Sequence, residues 1–133
     1  VGMNVDYQAV DWGTTIQRRA KKDPVDKGGW SIFFTDLTGT NNFDPAAHLG
    51  LRSNGERAWF GWPDNPKIEA LRAAWFDARD VAEQQRICAE LQVEFMKAPA
   101  HLPLGCNYGP TAFNKSITGV RMGFPQFYDV KRV

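Results

Sequence analysis

Nothing in this chain is present in large excess, and several common signals are missing. Sixteen Lys and Arg stand against fifteen Asp and Glu, leaving a net charge of +1. No bulk field therefore draws the chain onto nucleic acid or an anionic membrane. No window approaches the about 20 consecutive apolar residues of a membrane-spanning helix, and the N-terminus lacks the charged-then-apolar profile of a signal peptide. The chain opens on Val1 without an initiator Met, and reads as a processed product or a piece of something longer. Two cysteines, Cys88 in a helical pattern and Cys106 in a strand-like one, have neither metal-ligand spacing nor a repeated framework, and are expected to be buried small hydrophobes. There are two histidines, His48 and His101, too few and too isolated to define a metal set by spacing. Low-complexity tracts, internal repeats and Gly-rich phosphate cradles are absent too, so neither disorder nor a nucleotide cofactor is expected.

What is present is a folding composition, 43% hydrophobic and 23% charged over 133 residues, enough for one domain with a real core. Five tryptophans stand out, Trp12, Trp30, Trp59, Trp62 and Trp75. Trp30 and Trp75 fall on core-facing patterns. Trp59 and Trp62 lie in the loop Trp-Phe-Gly-Trp-Pro, where large aromatics either plug the core or meet a ligand.

The local patterns predict an α/β order. The alternation from Asn4 to Asp11 reads as a half-buried strand, and Trp30 to Thr35 as a strand buried on both faces. Between them Thr14 is a plausible N-cap for a short helix through about Lys22, whose cluster of Arg18, Arg19, Lys21 and Lys22 reads as a solvated helix end. Leu37 to Asn54 is a long polar loop with a short helical turn in Pro45 to Leu51, and loops of this length are usually functional. Asn65-Pro66 signals a helix start, with Ile68, Leu71 and Trp75 as its apolar stripe and an end near Ala78. Asp80 with Glu83 resembles a capping box ahead of the Ile87, Leu91, Phe95 stripe, in a helix ending about Lys97; the two helices pack as a hairpin or end to end. His101 to Tyr108 reads as an edge strand, and the remainder as irregular chain anchored by Phe113, Ile117, Val120, Phe124, Phe127 and Tyr128. The expected architecture is a small mixed sheet flanked by helices.

Catalytic constellations are poor. Cys106 and His101 are five apart, on opposite faces of a strand, and His48 has no partner defined by sequence. A small Cys/His hydrolase is thus an alternative, as is an aromatic-rich module that dimerises through an exposed apolar face.

The order of motifs is more specific than any one of them. Asp11-Trp12-Gly13-Thr14, Gly29-Trp30-Ser31-Ile32-Phe33, Trp59-Phe60-Gly61-Trp62-Pro63, Lys67-Ile68-Glu69-Ala70-Leu71, Pro103-Leu104-Gly105 and Asn114 to Val120 follow one another as in the C-terminal part of the solute-binding proteins of ABC importers, the family of the dipeptide-, oligopeptide- and nickel-binding proteins. This chain resembles that part over essentially its whole length. The resemblance implies that residues 1–133 are a single C-terminal fragment, part of the second lobe of a two-lobed, non-catalytic, periplasmic protein. Such a protein closes on a peptide or other small solute and delivers it to an ABC permease, without cofactor or metal. It also implies that Asp36, in the loop after the Trp30–Thr35 segment, holds a ligand's amino group, with Thr38, Gly39, Thr40 and Asn41 as polar neighbours and Asp44 as a rival anchor. Trp59 and Trp62 would then cover the solute's apolar part.

Overall fold

Among the described residues three α-helices form where side chains satisfy the first free amides, and the capping residues fix where each begins. A computed structural model describes residues 2–121 and 126–133 of the chain. It divides into two compact units, Val1–Leu102 and Pro103–Val133. In the first unit, α1 spans Trp12–Arg19. Its cap is Asp11 rather than Thr14: the Asp11 carboxylate accepts from the Thr14 amide at 3.1 Å and from the Thr14 hydroxyl at 2.6 Å, so the hydroxyl serves the cap instead of being it. The helix also stops earlier than Lys22, because Trp30 donates its indole N–H to the Arg19 carbonyl at 3.1 Å and Arg18 reaches over to the Gly29 carbonyl at 3.0 Å. That wrap needs Gly29, where a Cβ would lie 1.8 Å from the Asp23 carbonyl oxygen.

Helix α2, Pro66–Phe76, begins as expected, with the Asn65 side chain accepting from the amides of Lys67 at 3.1 Å and Ile68 at 3.3 Å. Helix α3, Val81–Lys97, is capped by Asp80, which accepts from the Glu83 amide at 2.8 Å. The returning Glu83 carboxylate serves the Arg79 amide, one residue further out than in the usual box. The two helices form a hairpin. Ile68 near the start of α2 meets Leu91 and Phe95 late in α3, which sets them antiparallel, with Leu51 and Leu71 closing the sides. Ile68, Leu91 and Ile87 are each 3% exposed or less, so these members of the predicted stripes are buried as expected, while Leu71 is only partly so. Trp75 is only half-buried, edge-on to Phe76. Across the hairpin's outer side, Lys67 and Lys97 both donate to the Glu94 carboxylate, at 3.0 and 2.8 Å, and hold its pKa at about 2.

The chain is α/β, but its strands lie elsewhere than the patterns indicate. The sheet is a two-stranded antiparallel pair in the second unit, β1 Ile117–Thr118 with β2 Lys131–Arg132, in register Ile117 to Arg132. Residues 4–11, 30–35 and 101–108 are not strands and have no ladder partner among the described residues. A strand is a property of a pair, and alternation in one segment cannot supply the second member. Burial fails with pairing: Ile32 and Phe34 are both about two-thirds exposed, in a segment expected to be buried on both faces. Cys106, expected buried, is exposed on one such segment, while Cys88 on α3 is half-buried and both thiols are free. In the second unit, Phe113, Phe127 and Tyr128 are exposed rather than anchoring; Ile117 and Val120 are half-buried, and Phe124 lies outside the described residues. Among the described residues no helix is long and apolar enough to cross a membrane.

Candidate functional site

Two neighbouring features of the first unit carry the expected site residues. The first is an aromatic cluster built on the turn that follows α1. Phe33 packs edge-on to Trp30 at 4.7 Å and to Trp59 at 5.8 Å, and Phe60 lies 5.5 Å from Trp59. Trp62 tilts against Trp30 at 6.4 Å. Trp59 and Trp62 are therefore both core plugs in part and half-exposed in part. The loop that holds them is pinned at its base: the Gly55 amide donates to the Pro63 carbonyl at 2.9 Å, and the Asn65 amide to the Ser53 carbonyl at 2.8 Å. Its tip is a tight turn, Trp62 amide to Trp59 carbonyl at 2.9 Å, which places Trp62 at φ 48, a left-handed conformation that costs a bulky residue energy.

The basic end of α1 is the solvated cluster the sequence suggests only in part: Lys21 and Lys22 are exposed, whereas Arg18 and Arg19 are half-buried. The Arg19 guanidinium lies over Phe60 at 4.5 Å, with Trp12 at 5.4 Å and Trp59 at 5.6 Å; Lys22 sits over Trp62 at 4.7 Å and pairs with Glu56 at 3.0 Å. Such cation–π contacts are worth about 0.5–2 kcal/mol each, depending on desolvation. Arg19 and Lys22 sit seven and ten residues after the Asp11–Trp12 start of the helix, and nothing local to their stretch indicates which distant rings they meet.

The second feature is the polar loop after Phe33. Asp36 is exposed, and its carboxylate makes no hydrogen bond or ion pair among the described residues. Thr38 and Thr40 share a hydrogen bond between hydroxyls at 3.1 Å, on a short turn of 3-10 helix, Gly39–Asn42, that also carries Asn41. Asp44 is occupied differently: its carboxylate accepts from the amides of Ala46 and Ala47, each at 2.9 Å, capping the turn that leads to His48. Of the two expected anchors, Asp36 is thus free to meet a cationic group, whereas Asp44 already serves the backbone. Two shallow surface hollows lie elsewhere, one along α3 between Lys67 and Lys97 and the other beside α1 at Thr14 and Gly28.

Sequence reasoning passed over two groups that fix this loop. Arg72, 9% exposed, donates to the Pro45 carbonyl at 3.2 Å and to both Glu69 oxygens, at 3.0 and 2.9 Å, while Glu69 accepts from the Ser53 amide at 2.7 Å. Only the i,i+3 spacing of Glu69 and Arg72 was visible in advance. His48 and His101 stack with ring centroids 5.2 Å apart, and Phe95 closes the other side of His101 at 4.7 Å. Burial lowers both imidazole pKa values, and the neighbouring His101 and Arg72 lower that of His48 further. Their Nδ1 atoms are buried without a partner among the described residues. Among the described residues no three His, Cys, Asp or Glu side chains converge as a metal-ligand set.

The first unit thus presents an exposed carboxylate and a pair of hydrogen-bonded hydroxyls on one loop, and half-exposed tryptophans on another. The chain is similar to a probable peptide ABC transporter periplasmic-binding protein, y4tO, of Sinorhizobium fredii (strain NBRC 101917 / NGR234), with 39% identity over 120 residues, 90% of this chain. It spans 23% of that relative's length, consistent with a C-terminal part of such a protein. No family model matches the chain. The resemblance read from the order of motifs is thereby borne out.

Proposed function

We propose that this chain is a single C-terminal piece of the second lobe of a two-lobed solute-binding protein. In this reading the complete protein works in the periplasm, captures a peptide or similar small solute, and hands it to an ABC permease in the membrane. The observation that carries the proposal is the 39% identity to a protein of that description over nine-tenths of the chain. The protein binds and does not catalyse. Asp36 meets the ligand's ammonium group, Thr38, Gly39, Thr40 and Asn41 offer hydroxyl, backbone and amide partners, and Trp59 and Trp62 cover apolar side chains. Asp44 acts at one remove, by holding the turn that ends the loop. Closure of the other lobe would exclude water from the Asp36–ammonium contact, where the charge-assisted bond gains strength.

The test is calorimetric titration of the complete polypeptide with short peptides bearing a free amino terminus. Removing a charged hydrogen-bond partner costs about 1.5–3 kcal/mol, so Asp36→Asn is expected to weaken binding about 10- to 100-fold. Asp44→Asn should lower thermal stability more than affinity. Unchanged affinity in Asp36→Asn would remove Asp36 from the site, and absence of peptide binding by the unaltered protein would remove the function.

A further inference from the structure

Two imidazoles fasten the end of the polar loop to the end of α3, and the proposed binding mode uses neither. His48 closes the turn that Asp44 caps, its amide donating to the Asp44 carbonyl at 3.0 Å, and a turn of 3-10 helix follows at Leu49–Leu51. His101 lies just past the end of α3. The two rings stack at 5.2 Å, with Phe95 against His101 at 4.7 Å. Both cover the buried Gly50, where a Cβ would lie 3.1 Å from His101 Nδ1 and 3.4 Å from His48 Cε1. Loop backbone is thus clamped beneath the stack. Nothing around the pair suits a positive charge. Each Nδ1 is buried without a hydrogen-bond partner among the described residues, and the nearby carboxylates are committed elsewhere. From α2 the pair is faced by the Arg72 cation, with Glu69 held by Arg72 and the Ser53 amide. From α3 it is faced by Phe95, while Glu94 bonds Lys97 and Lys67. The turn Leu49–Leu51 brings no charge, and Asp44 serves the amides of Ala46 and Ala47. The backbone at His48 and at Gly50 favours the charged imidazoles, but burial outweighs it.

We propose that the His48–His101 stack is a proton-operated latch: with both rings neutral it holds residues 44–51 against the hairpin, and protonation opens it. A charged imidazole carries N–H on both nitrogens, so each buried Nδ1 would become a donor with nothing to accept from it. Two imidazolium ions would also face each other across the stack, and opening lets water take up the charge instead. A charged His48 repels Arg72 as well, and Arg72 is what holds the Pro45 carbonyl. Both ties at the end of the polar loop therefore weaken together. The caps of α2 and α3 and the packing of Ile68 on Leu91 involve neither ring, so the hairpin stays formed when the latch opens. The latch is a property of this chain's own packing; it rests on the proposed function only in giving the loop a ligand to hold.

Hydrogen exchange read by mass spectrometry tests it on the complete polypeptide without peptide, at about pH 7.5 and about pH 5, each rate taken relative to the free-chain rate at that pH. An imidazole that charges only on opening adds up to about tenfold per pH unit below its ordinary 6.5. The amides of residues 46–51 should therefore lose at least about 10-fold in protection at the lower pH, while those of residues 85–95 in α3 keep theirs. The double variant His48→Phe with His101→Phe keeps two stacked rings that cannot charge, and should stay protected at both pH values. His101→Ala, which removes the stack, should already expose residues 46–51 at the higher pH. No loss in the parent, a loss of the same size in the double Phe variant, a loss shared equally by α3, or an Ala variant as protected as its parent overturns the proposal. Loop release at the lower pH in a polypeptide that binds no peptide would overturn the proposed function and leave the latch standing.

Discussion

The α2–α3 hairpin and the segments on either side of α1 are made of similar proportions of apolar residues, and only the hairpin is closed. In the hairpin each apolar stripe meets the other, each first turn is capped by a side chain, and Arg72 ties the neighbouring loop down. Around α1 the side chains that face inward are satisfied by Trp30, Phe33 and Arg19, while those facing outward have nothing to meet. A helix carries its backbone bonds within itself and needs one packed face; a strand needs a neighbour before it is a strand at all. The same composition therefore yields a finished element in one place and an unfinished one in the other.

The sharpest way to break this contrast is to cut into each region in turn. Leu91→Ala removes a core side chain from the hairpin and should cost about 2–5 kcal/mol in a urea melt of this chain. Tyr7→Ala, on the open segment, should stay within about 0.5 kcal/mol in the same chain. Equal costs would mean that residues 3–10 are packed after all. Gly29→Ala falls between them, since the added Cβ runs into the Asp23 carbonyl and the wrap over the end of α1 must shift. Overpacking of this kind costs about 1–3 kcal/mol, and Trp30 fluorescence should move with it.

The smallest effects come from titration, and they sharpen the contrast because all the shifted groups but Asp11 belong to the hairpin and its loop. His48 and His101 have folded pKa values below 6.5, so their contribution is complete above pH 6.5 and declines as the pH falls beneath it. Glu94, held at about 2 by Lys97 and Lys67, contributes fully above its ordinary 4.5 and loses that contribution as the pH falls from 4.5 towards 2. Melting temperature against pH should accordingly drop in two stages, and Glu94→Gln should flatten only the lower one.

Much of the hairpin was legible in the sequence, for a physical reason. Asn65-Pro66 and Asp80 act on amides two and three residues away, and the stripes Ile68–Leu71 and Ile87–Leu91–Phe95 repeat within one helix, so all the information is local. The polar loop was legible as a loop, and the relation to solute-binding proteins as an order of motifs. The strands were overread because alternation describes one edge of a pairing. The α1 cap was misplaced because Asp11 sits behind Trp12-Gly13, which reads as a break, although its carboxylate reaches past both to Thr14. The Arg19 stack and the His48–His101 stack join residues tens of positions apart, and no local pattern encodes such pairs.

One of these long-range ties bears on how freely the polar loop can move. Phe33 is fixed in the aromatic cluster at one end of the polar loop, and Arg72 grips the Pro45 carbonyl at the other, so residues 34–44 span two anchors. Much of the loop's conformational entropy is then surrendered when the protein folds rather than when a ligand arrives. A side chain on such a tethered span has less freedom left to lose than one on a loop held at a single end.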